Sequence, residues 1–145
     1  MKIELRRENG ELVYSLEGKG ITMRDVVIDA YKKGIRDFSN CNLRACDLKA
    51  CDLNHSNFIW CDFSGSDLSH SDLSYSDFIS CNFSGCNLSD SNLSHSDLIA
   101  CDLKACDLSH SKLIACDLIA CDFSGCDLSN SKLIACDLRG SKMSN

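Results

Sequence analysis

The sequence predicts an all-β solenoid in which the chain winds into stacked four-sided coils behind a short N-terminal cap. All 12 Cys fall at positions separated by multiples of five residues. From Phe38 onward, a Leu, Phe or Met recurs at every fifth position, and several side chains repeat again at an offset of 20 residues. We therefore expect a capping segment at residues 1–36 and a solenoid of about 5.5 coils at residues 37–145.

The five-residue period runs without a break. The 22 apolar centres extend from Phe38 to Met143 and comprise 15 Leu, six Phe and one Met. The residue two before each centre, the minus-two position, is Cys twelve times, Ser nine times and Arg36 once. The residue just before each centre is Asp, Asn or Lys, as in residues 122–126 (Asp-Phe-Ser-Gly-Cys). The repeat therefore sets the architecture of this part of the chain.

A period of five fits neither of the common regular elements. On an α-helix, steps of five scatter the centres around the axis, and on a flat strand an odd step moves the side chain to the opposite face. The abundance of Asp, Asn and Ser also opposes helix formation. A chain that turns by about a quarter after each unit instead points every centre at one axis. Because Ile recurs at positions 59, 79, 99 and 119, four units make one coil, and coils should stack about 4.8 Å apart.

Residues 36–145 resemble the pentapeptide-repeat family, which is defined by tandem units of the form Ala-(Asp/Asn)-Leu-x-x. This chain departs from that pattern by using Cys and Ser, and no Ala, at the minus-two position. The resemblance implies a right-handed, four-sided β-helix in which the centre and minus-two side chains point inward. It also implies a binding function, since the family includes fluoroquinolone-resistance proteins that look like duplex DNA to type II topoisomerases.

The Cys residues are expected to be buried, reduced and structural, because free Cys behaves as a small buried hydrophobe. Inward stacked thiols lack a converging fourth ligand and an entry path, so we predict no metal site and no cofactor. Their Cβ atoms should lie about 4.8 Å apart, farther than the roughly 3.5–4.5 Å of a disulfide. One interior ladder should comprise Cys41, Cys61, Cys81, Cys101 and Cys121.

Residues 1–36 do not repeat and are expected to cap the first coil. Two apolar stretches flank Asn9 and Gly10, a strong signal for a β-hairpin turn. Thr22 and Asp25 form a capping-box pattern, and Gly34 indicates the end of the following helix. The apolar spacing of that helix uses Val26, Val27, Ala30 and Tyr31. The predicted order is hairpin, helix and solenoid.

Composition and motifs exclude several classes of function. No apolar run approaches the roughly 20 residues that cross a bilayer, and the first residues lack a signal peptide's apolar segment, so we expect a cytoplasmic protein with no membrane contact. The net charge of −6 argues against direct nucleic-acid binding. No nucleophile elbow, phosphate-binding Gly loop or metal-spaced His pair occurs, so no enzymatic activity is predicted.

Acidic residues concentrate on the solenoid, where residues 37–145 contain 15 Asp and seven Lys or Arg, a net charge of −8. Asp and Asn both suit turns, because their side chains bond to the backbone. Stacked Asp residues, however, repel each other by about 1 kcal/mol, so a turn role does not explain why Asp is preferred to Asn. Solubility is one explanation, and a negative field that attracts a basic partner is another. In the second case the partner-binding residues are Asp62, Asp67, Asp77, Asp97, Asp102, Asp107, Asp117, Asp122, Asp127 and Asp137.

Apolar side chains should also reach the surface. Ile residues that follow the centres are expected to form a stripe beside Trp60, which indicates a contact surface, although β-propensity explains them equally well. The last coil has no capping helix, and because exposed strand edges are usually covered, we expect a homodimer through this coil. The predicted self-association residues are Ile59, Trp60, Ile79, Ile99, Ile114, Ile119, Ile134, Leu133, Leu138 and Met143.

Two further columns, His55, Tyr75 and His95 on one side and His70, Asp90 and His110 on another, are interpreted as surface residues. The two His in each column are separated by two coils, about 9.6 Å, which is too far to share a metal.

The sequence is compatible with two functions. The first is a rigid, acidic, non-enzymatic rod that binds a protein partner, which the family resemblance specifies as a DNA mimic acting on DNA gyrase or topoisomerase IV. The second is a structural or assembly protein that self-associates through its C-terminal coil and its Ile stripe.

Overall fold

The N-terminal segment contains the predicted hairpin. The computed structural model describes residues 1–144. Strand β1 (Lys2–Arg6) pairs antiparallel with β2 (Leu12–Glu17), and the connecting turn contains Asn9 and Gly10. Gly10 adopts a φ of 89°, a left-handed conformation that glycine reaches without a steric penalty. The hairpin turn therefore lies at Asn9 and Gly10, as predicted.

Helix α1 (Met23–Lys32) follows the hairpin and has both predicted end signals. The amide and the hydroxyl of Thr22 lie 2.8 and 3.1 Å from Oδ2 of Asp25, which accepts hydrogen bonds from both. The amide of Gly34, at a φ of 92°, donates to the carbonyl of Tyr31 and ends the helix. The helix buries Val26, Val27 and Ala30.

The hairpin and the helix are both joined to the start of the solenoid. The amide of Glu8 donates to the carbonyl of Asn40 at 2.8 Å, so the hairpin turn lies on the first coil. The hydroxyl of Tyr31 donates to Oδ1 of Asn54 at 2.7 Å. These contacts place polar and apolar side chains over backbone that would otherwise form an open edge.

Backbone hydrogen bonds between residues about 20 apart stack the repeats into the coils of a β-helix. Parallel bridges join the residue before each centre to its equivalent one coil on, as in Asp77 with Asp97. The amide of Phe58 donates to the carbonyl of Asp77 at 2.7 Å, and the amide of Asp77 donates to that of Ser56 at 3.0 Å. Each coil therefore takes four units, as the offset of 20 predicts. The right-handed sense and the count of about 5.5 coils stay predictions.

The four sides of each coil are numbered here by their centres. Face 1 has Phe58 and its equivalents every 20 residues, face 2 has Phe63, face 3 has Leu68 and face 4 has Leu73. On face 4, strands β3 (Lys112–Ile114) and β4 (Lys132–Ile134) form a regular parallel pair.

Almost every unit ends in a turn with a left-handed third residue. The amide of Cys61 donates to the carbonyl of Phe58 at 3.0 Å, and Trp60 within this turn has a φ of 62°. A positive φ at the third position is typical of a type II turn, in which glycine is favoured. Glycine occupies the position at Gly65, but 17 other residues, seven of them Ala, adopt the same conformation. Coil stacking therefore holds these residues against a conformational penalty of about 1 kcal/mol each.

The centres form a continuous core that includes two columns of aromatic rings. All centres from Phe38 to Phe123 are buried. On face 1 the ring of Phe78 stacks on that of Phe58 with centroids 5.2 Å apart, and on face 2 Phe63 stacks on Phe83 at 5.1 Å. Rings of the two faces meet edge to face, as Phe78 and Phe83 do at 5.4 Å. Five of the six Phe thus form one cluster in the N-terminal half of the solenoid.

The minus-two side chains point inward, where they donate hydrogen bonds to the backbone. The thiol of Cys81 lies 2.8 Å from the carbonyl of Phe58, 23 residues earlier, and the hydroxyl of Ser71 makes the equivalent bond to Leu48 at 3.0 Å. All 12 Cys are free thiols in this structure, and nine are buried. The half-buried ones, contrary to the expectation that all are hidden, lie near the ends of the solenoid: Cys46, Cys126 and Cys136.

Candidate protein-binding face

The ten predicted partner-binding Asp all precede a centre, and each one accepts a hydrogen bond within its own turn. Oδ1 of Asp62 accepts from the amide of Ser64 at 2.9 Å. The other nine make the same bond to the amide two residues on: Asp67, Asp77, Asp97, Asp102, Asp107, Asp117, Asp122, Asp127 and Asp137. Asn82 makes it equally well, to the amide of Ser84 at 2.9 Å. The turn bond therefore holds the carboxylates in place but does not require their charge.

Basic side chains neutralise only part of this charge. Lys104 on face 2 lies 3.7 Å from carboxylate oxygens of both Asp102 and Asp122. Two further ion pairs are Arg44 with Asp62 and Arg139 with Asp137. Within residues 1–144, six of the ten predicted Asp have no ion-pair partner: Asp67, Asp107 and Asp127 on face 3, and Asp77, Asp97 and Asp117 on face 1.

Face 1 combines its carboxylates with a parallel column of isoleucines. We call this surface the Ile face and define it by Asp77, Asp97 and Asp117 together with Ile59, Ile79, Ile99 and Ile119. The Ile side chains are half-buried, and no Lys or Arg occurs on face 1 in the coils that contain them. The two other predicted apolar residues, Ile114 and Ile134, lie on the neighbouring face 4, where the repeat places them.

The carboxylates of the Ile face have weaker internal partners than those of face 3. Asp67 on face 3 accepts hydrogen bonds from both the amide and the hydroxyl of Ser69, at 2.9 and 2.6 Å. Asp97 is followed by Ile99 instead of Ser and accepts only the amide hydrogen bond, at 3.3 Å. The corresponding bonds of Asp77 and Asp117 are 3.2 and 3.3 Å long.

The difference in hydrogen bonding is accompanied by a difference in the pKa values of Asp67 and Asp97. The hydrogen bond from the Ser69 hydroxyl lowers the pKa of Asp67. At Asp97, partial burial raises the pKa of the carboxyl group, and the stacked charges of Asp77 and Asp117 add to that increase. The charged form of Asp97 is therefore less stabilised than that of Asp67, and a cationic partner would stabilise it further.

Exposed aromatic side chains lie along both edges of the Ile face. At the corner that precedes face 1, the rings of His55, Tyr75 and His95 stack with centroids 4.9 and 4.7 Å apart. Trp60, at the corner that follows face 1, is 63% exposed, and Tyr75 is 55% exposed. Trp and Tyr are enriched at the centres of protein interfaces. The sequence pattern indicates that the His and Tyr column lies at the surface, and the structure shows that this column borders the Ile face.

The last coil exposes the other predicted self-association residues. Leu138 and Met143 are centres, yet they are 37% and 50% exposed, and Ile134 is 55% exposed. Leu133 is half-buried. Among residues 1–144 no further coil lies over these side chains, so they form a second apolar surface, which we call the terminal patch.

The second His column borders an open groove on the surface. Nε2 of His70 lies 3.8 Å from a carboxylate oxygen of Asp90, beside an open groove of about 310 Å³ that His110 and Lys112 also line. In the part of the chain that the structure describes, no three His, Cys, Asp or Glu side chains are grouped so that they could hold a metal ion. The same residues include no helix of the length and apolarity that a membrane span needs.

Two pentapeptide repeat proteins of known structure are similar to this chain in fold. Rfr23, a pentapeptide repeat protein from the cyanobacterium Cyanothece 51142, is 16% identical with a TM-score of 0.51 over 83% of this chain and 99% of that chain. A pentapeptide repeat protein from the Arabidopsis thaliana thylakoid lumen is 20% identical with a TM-score of 0.55, over 68% and 66% of the two chains. Both share the β-helix fold, at identities too low to indicate function.

A trypsin-treated form of QnrB1, a plasmid-mediated fluoroquinolone resistance protein, is 21% identical over 73% of this chain and 64% of that chain. Its TM-score of 0.35 is too low to support an argument. No curated protein sequence matches the chain. A family model described as the pentapeptide repeat region matches residues 36–98 and 76–145, which together make up most of the chain. This protein therefore belongs to the pentapeptide-repeat family.

Proposed function

We propose that this protein is a non-enzymatic, rigid, acidic rod that binds a basic surface of a protein partner as a mimic of duplex DNA. The observation that carries the proposal is the fixed position of its carboxylates. Each predicted Asp has one oxygen bound in its own turn, so the negative charges form ordered columns on a stiff scaffold. Preorganised charge gives complementarity without an ordering penalty on binding.

The charge density supports the proposal. Residues 57–136 form four coils and contain 11 Asp and three Lys, a net charge of −8. Four coils rise by about 19 Å, and duplex DNA of that length has about 11 phosphate charges. The rod thus has about 70% of the linear charge density of DNA. A protein that binds duplex DNA through its phosphates would meet a comparable field here, whereas DNA itself would be repelled.

Type II topoisomerases are the first partners to test, because the family resemblance implies a protein that looks like duplex DNA to these enzymes. We expect the protein to inhibit supercoiling by DNA gyrase or relaxation by topoisomerase IV, and inhibition should weaken between low and high salt. Replacing the six unpaired Asp by Asn should raise the half-inhibitory concentration roughly tenfold, since Asn keeps the turn bond but removes the charge. The residues to replace are Asp67, Asp77, Asp97, Asp107, Asp117 and Asp127.

A variant whose net charge changes in the opposite direction is the matched control for this assay. Lys112→Gln with Lys132→Gln makes the rod more acidic and should lower the half-inhibitory concentration. If neither set of substitutions changes inhibition, or if the wild-type protein has no effect at micromolar concentration, DNA mimicry toward these enzymes is wrong.

The terminal patch favours a second candidate function, assembly through a homodimer. Exposed centres in the last coil would be covered if a second copy packed against it. We expect light scattering to report a dimer at about 50 micromolar protein and Leu138→Lys to shift it to a monomer. Ile99→Lys, which lies two coils or about 9.6 Å along the axis from the coil of Leu138, is the control and should leave the dimer intact. A wild-type monomer at that concentration would contradict this candidate.

A further inference from the structure

We propose that the Ile face binds a basic amphipathic α-helix of a partner protein, with the helix axis parallel to the axis of the solenoid. The proposal rests on the proposed function, because it specifies the face and the partner chemistry of an acidic protein-binding rod. It is carried by three properties of face 1: the spacing of its isoleucines, the state of its carboxylates and the aromatic side chains at its edges.

The spacing of the isoleucines matches a helix. Successive Ile side chains from Ile59 to Ile119 lie one coil apart, so they are offset by about 4.8, 9.6 and 14.4 Å along the axis. Apolar residues at positions i, i+3, i+7 and i+10 of a helix are offset by about 4.5, 10.5 and 15.0 Å. No position differs by more than about 1 Å. A β-strand in the same orientation repeats its side chains every 6.7 Å or so, which misses the second Ile by about 2 Å.

The carboxylates provide the charge complement on one side of that apolar seam. Asp77, Asp97 and Asp117 have no ion-pair partner within residues 1–144 and accept only one long amide hydrogen bond each. Asp77 and Asp117 are two coils, about 9.6 Å, apart, and basic residues one heptad apart on a helix flank are separated by about 10.5 Å. Long Lys or Arg side chains accommodate that difference. The partner helix should therefore have a Leu-rich seam with Lys or Arg along one flank.

Aromatic side chains at the two edges of the Ile face add contact area for the partner helix. Tyr75, stacked between two imidazole rings, borders the Asp column, and Trp60 borders the Ile column at its first coil. Tyr75 and Trp60 are exposed, whereas the Ile side chains of this face are half-buried. A helix on face 1 would lie between them and cover both.

A synthetic peptide tests the proposal directly. The probe is a helical peptide of about 18 residues with Leu at heptad positions a and d and Lys along one flank, and a scrambled peptide of identical composition is the control. Trp60 is the only Trp of the chain, so its emission reports occupancy of the Ile face without a label. We expect saturable binding of the probe with a blue shift of Trp60 emission, and no saturable binding of the scrambled peptide.

Two matched pairs of variants locate the site on the full-length protein. Asp77→Asn, Asp97→Asn and Asp117→Asn together should weaken binding roughly tenfold, whereas the same change at Asp67, Asp107 and Asp127 on face 3 removes equal charge and should weaken it less than about twofold. Ile99→Lys should abolish the binding and Ser84→Lys on face 2 should not. Lys104 occupies an equivalent position naturally, so both Lys variants should fold.

Equal losses from the face 1 and face 3 triple variants would show that only net charge matters and would overturn the proposal. Tight binding by Ile99→Lys, or by the scrambled peptide, would overturn it as well. The topoisomerase assay separates this outcome from failure of the proposed function. If the Asp77, Asp97 and Asp117 triple variant still inhibits like the wild type while the six-Asp variant does not, the proposal of an acidic DNA mimic is supported and the proposal of a helix-binding site is wrong.

Discussion

Raising the pH from 8 to 11 should strongly destabilise the protein, and buried thiols should be the main cause. Burial raises the pKa of Cys41 from 9.0 to about 11, and burial raises the pKa values of Cys106 and Cys116 from 9.0 to about 12. The folded state therefore holds these thiols neutral at pH values where the unfolded chain ionises them. Their contribution to stability is fully present below pH 9 and is lost as the pH rises from there through the folded-state pKa values.

The size of the effect follows from linkage. Each of these thiols costs about 1.4 kcal/mol of unfolding free energy per pH unit in that range, so the three together cost about 4 kcal/mol per unit. Domains of this size have total stabilities of about 5–15 kcal/mol, so the loss of about 8 kcal/mol between pH 9 and pH 11 is a large part of the total. Urea denaturation in the presence of a reductant, followed by circular dichroism at each pH, measures the slope.

Serine provides the control, because it already occupies nine minus-two positions and does not titrate. The variant with Cys41→Ser, Cys106→Ser and Cys116→Ser should lose stability above pH 9 less steeply than the wild type, by about 4 kcal/mol per pH unit. The same slope in both proteins would show that other groups cause the alkaline transition.

The substitution Phe78→Ala should destabilise the solenoid by about 3–5 kcal/mol. The Phe78 side chain is fully buried, stacks on Phe58 and meets the edges of Phe63 and Phe83, so its removal leaves a cavity that three rings surround. Coil stacking limits how far the backbone can close that cavity. The midpoint of urea unfolding at pH 7.5 or so measures the loss.

Phe78→Leu is the matched control for that change. Leu occupies 15 of the 22 centres, so it fits the same backbone and should reduce the free energy of unfolding by less than about 2 kcal/mol. If Phe78→Ala and Phe78→Leu destabilise equally, the aromatic cluster is not a source of stability beyond that of an ordinary centre.

The repeat and the inward positions were predictable because they depend on backbone periodicity. A side chain at every fifth residue can share one axis only if the chain turns after each unit, so Phe38 to Phe123 had to be interior. The offset of 20 residues between equivalent Ile positions then predicted the bridges that join Asp77 to Asp97. The helix was predictable for a local reason, since Thr22, Asp25 and Gly34 act within a few residues of their own positions.

Contacts between columns were not predictable in the same way. The residue types Ser69 and Ile99 are visible in the sequence, but the hydroxyl hydrogen bond to Asp67 and the long amide hydrogen bond to Asp97 depend on local geometry. The bridging position of Lys104 depends on side-chain conformation across two coils. The solvent exposure of Leu138 depends on what covers the last coil, and a repeat pattern contains no information about its own end.

The register of 20 residues also determines how such a protein can change in length during evolution. Loss of residues 77–96 would join Ser76 to Asp97, which is the positional equivalent of Asp77, so every column would remain continuous in a shorter molecule. Loss of only five residues would rotate all later side chains to a neighbouring side and would interrupt the Asp and Ile columns. Duplication or deletion of whole circuits can therefore adjust reach without disturbing the pattern that a partner recognises.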